Sequence, residues 1–235
     1  GGVFVAGWVR GTVDFGSQRT YNSGNHNPFV AHLNSTGHWQ WVNRASNDNQ
    51  GLVNDIAVMS DGGVAVAGTF VGTMNFGGYS IHADSGYSDG FIARINASGG
   101  GEWWSQMGYT GHYQDKATAL IVDELDNIFV TGACMNYFSY RRAHLLGVES
   151  FSNDLLWCGS WDADSGSAFV MRVSSSGAFQ WVSHGTQNHD VVERWGVDLA
   201  FLSNGNILIM STGQDSHWSP NPGRGIEFTE VNLAG

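Results

Sequence analysis

Aromatic side chains set among polar neighbours are the residues of this chain best suited to hold a ligand. Trp157, Trp161, Trp195 and Trp218 stand in segments rich in Asn, Asp, Gln, Ser and His, and Tyr109 and Tyr113 stand in the polar run GYTGHYQDK. A flat aromatic ring stacks on the apolar face of a sugar while adjacent amides and carboxylates bond its hydroxyls. The same residues have a second reading. Tryptophan is highly buried on average, and these rings would then pin long loops by burial.

Other chemistry is thinner. Asp162 and Asp164 alternate in DADSG, a carboxylate spacing that suits a short calcium loop. Calcium takes six to eight oxygens, and this segment offers few, so solvated turn residues are the competing reading. The run DSGYSD at residues 84–89 is a weaker version of the same pattern. Nine histidines are present, and His184 and His189 share a segment with Asp190 and Glu193, but no HExxH spacing occurs. No GxSxG elbow, phosphate-binding loop or GxGxxG turn is present either. No carboxylate pair is marked out for glycoside hydrolysis. The expectation is a protein that is not an enzyme and has no resident cofactor, with calcium as the one cofactor candidate.

Two cysteines, Cys134 and Cys158, both fall near a stretch that lengthens one part of the chain. A disulfide there would close the insertion and contribute on the order of 3 kcal/mol, in an oxidising compartment; two free thiols are the alternative. Asn34-Ser-Thr and Asn96-Ala-Ser are glycosylation acceptors by sequence. Asn and Ser before Gly are also what a tight turn demands.

The elements that position these residues follow from a repeat. Phe29, Phe91 and Phe169 open the segments FVAHLNSTG, FIARINASG and FVMRVSSSG, and Trp41, Trp103 and Trp181 follow the closing glycines at one fixed distance. A second anchor recurs as GGVFVAG, GGVAVAG, DNIFVTG and GNILIMS. Landmarks that stay in register mark units that cannot bury an apolar face alone and must stack on neighbours. Within a unit, residues 54–60 alternate and end at Asp61-Gly62-Gly63, a hairpin turn. Residues 64–70 are short, small and apolar, as a buried strand should be. Residues 91–97 and 102–107 supply two more strands. No segment has a helical period. Four-stranded antiparallel sheets repeated radially make a β-propeller, with small residues innermost.

The motifs GVFVAG, GTVDFG, PFVAHLNSTGHWQW and DIAVMSDGG, with GTMNFG, DGFIARINASG and ALIVDELDNIFVTG further on, resemble the seven-bladed β-propeller repeats of secreted and cell-surface proteins of bacteria and archaea. The resemblance extends over nearly the whole chain. It lapses at MNYFSYRRAH and at GQDSHWSPNPGRG, where the loops are individual. It implies secretion and an extracellular or cell-surface location.

The sequence thus predicts an all-β chain of about four blades, two of them incomplete. Residues 1–50 form a partial blade, 51–114 a blade, 115–192 a blade with an insertion at 137–166, and 193–235 a partial blade. Further blades, from the same or another chain, are expected to complete the ring. The long polar loops at residues 44–51, 108–116 and 183–196 should gather on one face with the insertion and residues 211–225. The expected role is a structural or interaction module that presents this face to a glycan or a surface protein. A polysaccharide-active enzyme using that face, and a filament or surface-layer subunit joined through open blade edges, are the alternatives. A net charge of −11 argues against nucleic acid, and no run of apolar residues is long enough for a membrane span.

Overall fold

A computed structural model of the chain describes all residues except 17, 21–23, 77–78, 84–85, 109–113, 136, 145–146, 158–165, 185–190, 216–223 and 234–235. The described residues are all-β, in several antiparallel sheets. The first unit contains β1 (Gly2–Val9), a small hairpin β2 (Val13–Phe15) and β3 (Gln18–Thr20), then β4 (Asn27–Asn34), β5 (Trp39–Arg44) and a short extension β6 (Ser46–Asn47). The second contains β7 (Gln50–Val58), β8 (Val64–Val71), the hairpin β9 (Thr73–Phe76) and β10 (Tyr79–His82), then β11 (Ser88–Ile95) and β12 (Gly101–Met107). The third contains β13 (Lys116–Val122), β14 (Ile128–Met135), the hairpin β15 (Tyr137–His144) and β16 (Gly147–Trp157), then β17 (Gly166–Val173) and β18 (Phe179–His184). The fourth has β19 (Val191–Phe201), β20 (Ile207–Asp215) and β21 (Arg224–Val231).

The four-strand meander expected from the repeat is present as β7-β8-β11-β12 and as β13-β14-β17-β18, and the outer units each show three of those strands. One feature differs from the sequence reading. GTVDFG, GTMNFG and the insertion at residues 137–166 contain hairpins rather than plain loops. The later hairpins pair with the end of the unit before them: β15 with its outer strand β12, and β9 with the short extension β6 that follows β5. At β12 this covers an outer edge that would otherwise offer unpaired N–H and C=O groups to another chain.

The turns between first and second strands are built alike in the second, third and fourth units. Gly62, Asp126 and Gly205 donate their N–H to Met59, Asp123 and Leu202 respectively. All three have positive φ, of 80°, 60° and 84°. Asp126 takes this disfavoured conformation because its carboxylate reaches the preceding unit. It accepts from the Ser60 backbone N–H at 2.8 Å and from the Ser60 hydroxyl at 2.5 Å. In the other turn type, Asn34 and Asn96 each accept three bonds through Oδ1, from Thr36 and His38 and from Ser98 and Gly100. Both acceptor asparagines of the sequence analysis are thus turn builders.

Three kinds of contact fasten adjacent units, not all of them at every junction. The repeated tryptophan of one unit lies on the turn of the following one. Trp41 Nε1 donates to the Ala97 carbonyl at 2.9 Å, and Trp103 Nε1 to the Ser175 carbonyl at 3.0 Å. Trp181 packs on the same buried apolar cluster as Val231 and Leu233 of the fourth unit. The first strands β7, β13 and β19 each carry a bulge, at Val53/Asp55, Ala117/Ala119 and Gly196/Asp198. A bulge re-aims side chains. Asn54 Nδ2 donates to the Ala117 carbonyl at 2.7 Å, and Thr118 Oγ1 to the Gly196 carbonyl at 2.5 Å. Asp55 Oδ2 accepts the Leu120 N–H of the next unit at 2.8 Å. Between these polar links lie the apolar layers. Val64, Val66 and Phe91 pack toward Phe4, Ala6 and Val30 of the first unit, while Ala65, Ala67 and Ile92 pack toward Ile128 and Val130 of the third.

Candidate functional site

The connections β10–β11 and β12–β13 meet at one end of the second and third units and leave a cleft of about 230 Å³. Leu52, Phe70 and Val71 line it with apolar surface, and Gln50, Ser88, Gln114 and Lys116 with polar groups. Strand geometry sets this mixture. Leu52, Lys116 and Trp195 hold the same place in three successive first strands, paired with Thr69, Ala133 and Thr212. The repeat therefore brings these three positions to one end of the stack, and each unit fills the position with different chemistry.

Lys116 is the only lysine of the chain. Its ammonium lies 4.6 Å from the centre of the Trp195 ring. An ammonium over an indole face is attracted by the ring quadrupole, by about 0.5–1 kcal/mol at an exposed site. Trp195 remains 38 % exposed. The cleft thus opens beside a partly covered indole, through a cation that reaches both.

Two buried carboxylates adjoin the lining residues along the chain. Asp89 accepts from the Gln106 amide at 2.5 Å, and Asp115 Oδ1 accepts the Met135 N–H at 2.8 Å. The backbone ties the two connections together, with Asp115 N–H donating to the Ser88 carbonyl at 2.7 Å. Both carboxylates hold the scaffold rather than face the cleft as an acid–base pair. Among the described residues, no group of three or more His, Cys, Asp and Glu side chains is placed to hold a metal ion.

Of the aromatic residues singled out from the sequence, Trp195 is exposed at this end of the molecule. Trp157 is the last residue of β16, opposite Tyr137. Tyr109, Tyr113, Trp161 and Trp218 lie outside the described residues, as do Asp162 and Asp164. Cys134 is fully buried and disulfide-bonded; Cys158, the other cysteine of the chain, lies outside the described residues. Sequence reasoning placed Gln50, Gln114 and Lys116 in polar loops expected on one face without singling any of them out, and it passed over Ser88. The signal that could have found Lys116 was the lone lysine at a position that is Leu52 in one unit and Trp195 in another.

No family model matches the chain, and no curated protein is similar to it.

Proposed function

We propose that this chain is part of a β-propeller that acts as a non-enzymatic binding module, outside the cell or at its surface, and that it seats a glycan at the cleft between the second and third units. The observation that carries this reading is the joining of the cleft to Trp195 through Lys116. The lining offers amide and ammonium donors beside apolar Leu52, Phe70 and Val71, and an indole stands next to it. These are the groups that bond sugar hydroxyls and stack on a sugar face. The net charge of −11 opposes a polyanionic ligand, so the reading is a neutral saccharide. The propeller itself is supported by the repeated four-strand meander and by the junctions that recur between units.

The test is titration calorimetry of the intact chain against neutral oligosaccharides chosen from a glycan array. Binding that falls at least tenfold in both Lys116→Ala and Trp195→Ala, with unchanged melting temperatures, supports the assignment. Binding indifferent to both substitutions, or no binding to any glycan, refutes it.

A further inference from the structure

The cleft draws on the same place of two successive units, and the repeat carries that place one unit further. Gln50 stands two residues before Leu52, and Gln114 two residues before Lys116; all four line the cleft. The register makes the two pairs equivalent, because Leu52 pairs with Thr69 just as Lys116 pairs with Ala133. Gln50 and Gln114 are both exposed. Neither side-chain amide has a hydrogen-bond partner among the described residues, so each is open to a ligand. The same group is thus offered once per unit. Trp195 holds the next equivalent position, paired with Thr212, and the Lys116 ammonium lies 4.6 Å from its ring centre.

We propose that this site takes a linear polysaccharide laid across successive units, with one sugar ring in the cleft and a later ring on Trp195. This rests on the reading of the cleft as a glycan site. Its first support is size. The cleft, about 230 Å³, is smaller than the about 300–1,000 Å³ of pockets that bury a drug-sized ligand. It has room for one ring, so the rest of a longer glycan must lie along the surface. Beyond Lys116 that surface carries an indole that is still partly exposed.

The second support is period. Sheets stacked face to face lie about 10 Å apart, so equivalent positions of adjacent units recur at about that step. Stacked repeats form extended binding surfaces, and a ligand that repeats along its own length can use an amide that recurs along the protein. Once one ring is held in the cleft, contact of a later ring with Trp195 is intramolecular. It then adds affinity without a second loss of free ligand motion. Affinity should therefore climb with chain length until a ring reaches Trp195, and then level off.

Titration calorimetry of the intact chain tests this. The ligands are a length series of one neutral oligosaccharide, from the single sugar upward, and the variants are Trp195→Ala, Gln50→Ala and Gln114→Ala. Melting temperatures check the fold; Trp195→Leu, which keeps apolar bulk without the flat ring, replaces Trp195→Ala if that variant melts early. Wild-type affinity is expected to rise at least tenfold along the series and then level. A single sugar too weak to measure counts as the low end of that rise. Trp195→Ala should abolish the rise while changing the affinity of the shortest member that binds less than twofold. Gln50→Ala and Gln114→Ala should each weaken the longer members at least threefold. Three results would overturn the polysaccharide assignment and leave a glycan in the cleft: affinity independent of length, a Trp195→Ala loss equal at every length, or glutamine variants that bind long members like the wild type. Absence of binding to every member would overturn the glycan reading itself.

Discussion

Asp55 and Asp198 are the same residue at the same bulge of two units, and Asp55 bonds the unit that follows it. Replacing Asp55 by Ala removes an acceptor from the Leu120 N–H at 2.8 Å and from the Ile56 N–H at 2.8 Å. Replacing Asp198 by Ala removes only the local bond from Leu199 N–H, which corresponds to that from Ile56. The difference between the two variants therefore isolates one inter-unit hydrogen bond. Leu120 is buried, and a buried donor left without an acceptor costs about 1–3 kcal/mol. Asp55→Ala should accordingly be less stable than Asp198→Ala by about 1–3 kcal/mol. For a chain of this length each kcal/mol lowers the melting temperature by about 2–4 °C. The assay is urea unfolding of both variants, followed by intrinsic tryptophan fluorescence. Midpoints should shift while the slope with denaturant stays constant. Equal losses in the two variants, within about 0.5 kcal/mol, would refute the argument that the bulge carboxylate fastens adjacent units.

Further outcomes follow from the same junctions. Gly99→Ala and Gly37→Ala both place a side chain in the left-handed region, at φ 87° and 81°, and share a cost of about 1–2 kcal/mol. A Cβ at Gly99 also comes within 2.6 Å of the Trp41 ring, whereas Gly37 has nothing within 4 Å. Gly99→Ala should therefore cost about 1–3 kcal/mol more in urea unfolding, and equal costs would mean that Trp41 is not held on that turn. The Asp61 carboxyl is held below its ordinary range by the Gly63 N–H and then by Arg94, whose guanidinium lies 2.6 Å away. With the folded value depressed, this contribution is complete above the ordinary value of about 3.9 and is lost as pH falls through the folded value. The acid limb of the melting curve should flatten in Asp61→Asn, and an unchanged limb would count against the pairing. Reducing the Cys134 disulfide should destabilise the chain by about 3 kcal/mol in the loop-entropy model, read as a lower melting temperature with reductant; no change would show that the bridge closes no ordered loop.

The sequence by itself determined the all-β class and the positions of most strands, because glycine turns and alternating apolar residues are local signals. It also located the tryptophan that recurs in each unit. It did not show what that tryptophan does, since the acceptor of Trp103 is the Ser175 carbonyl, far along the chain in the next unit. The hairpins β9–β10 and β15–β16 were unread for a related reason. Their partners are strands of the preceding unit, so nothing in their own residues announces the pairing. The candidate site divides in the same way. Trp195 was legible as an aromatic residue in polar surroundings, and the polar connections were expected on one face, but which side chains line a cleft was not legible, because they come from segments remote in sequence. Residue type and local period fixed the strands and turns. Which side chains share a cleft, and which carboxylate reaches a neighbour, was decided by the stacking of units, which bulges and long-range pairing alone control.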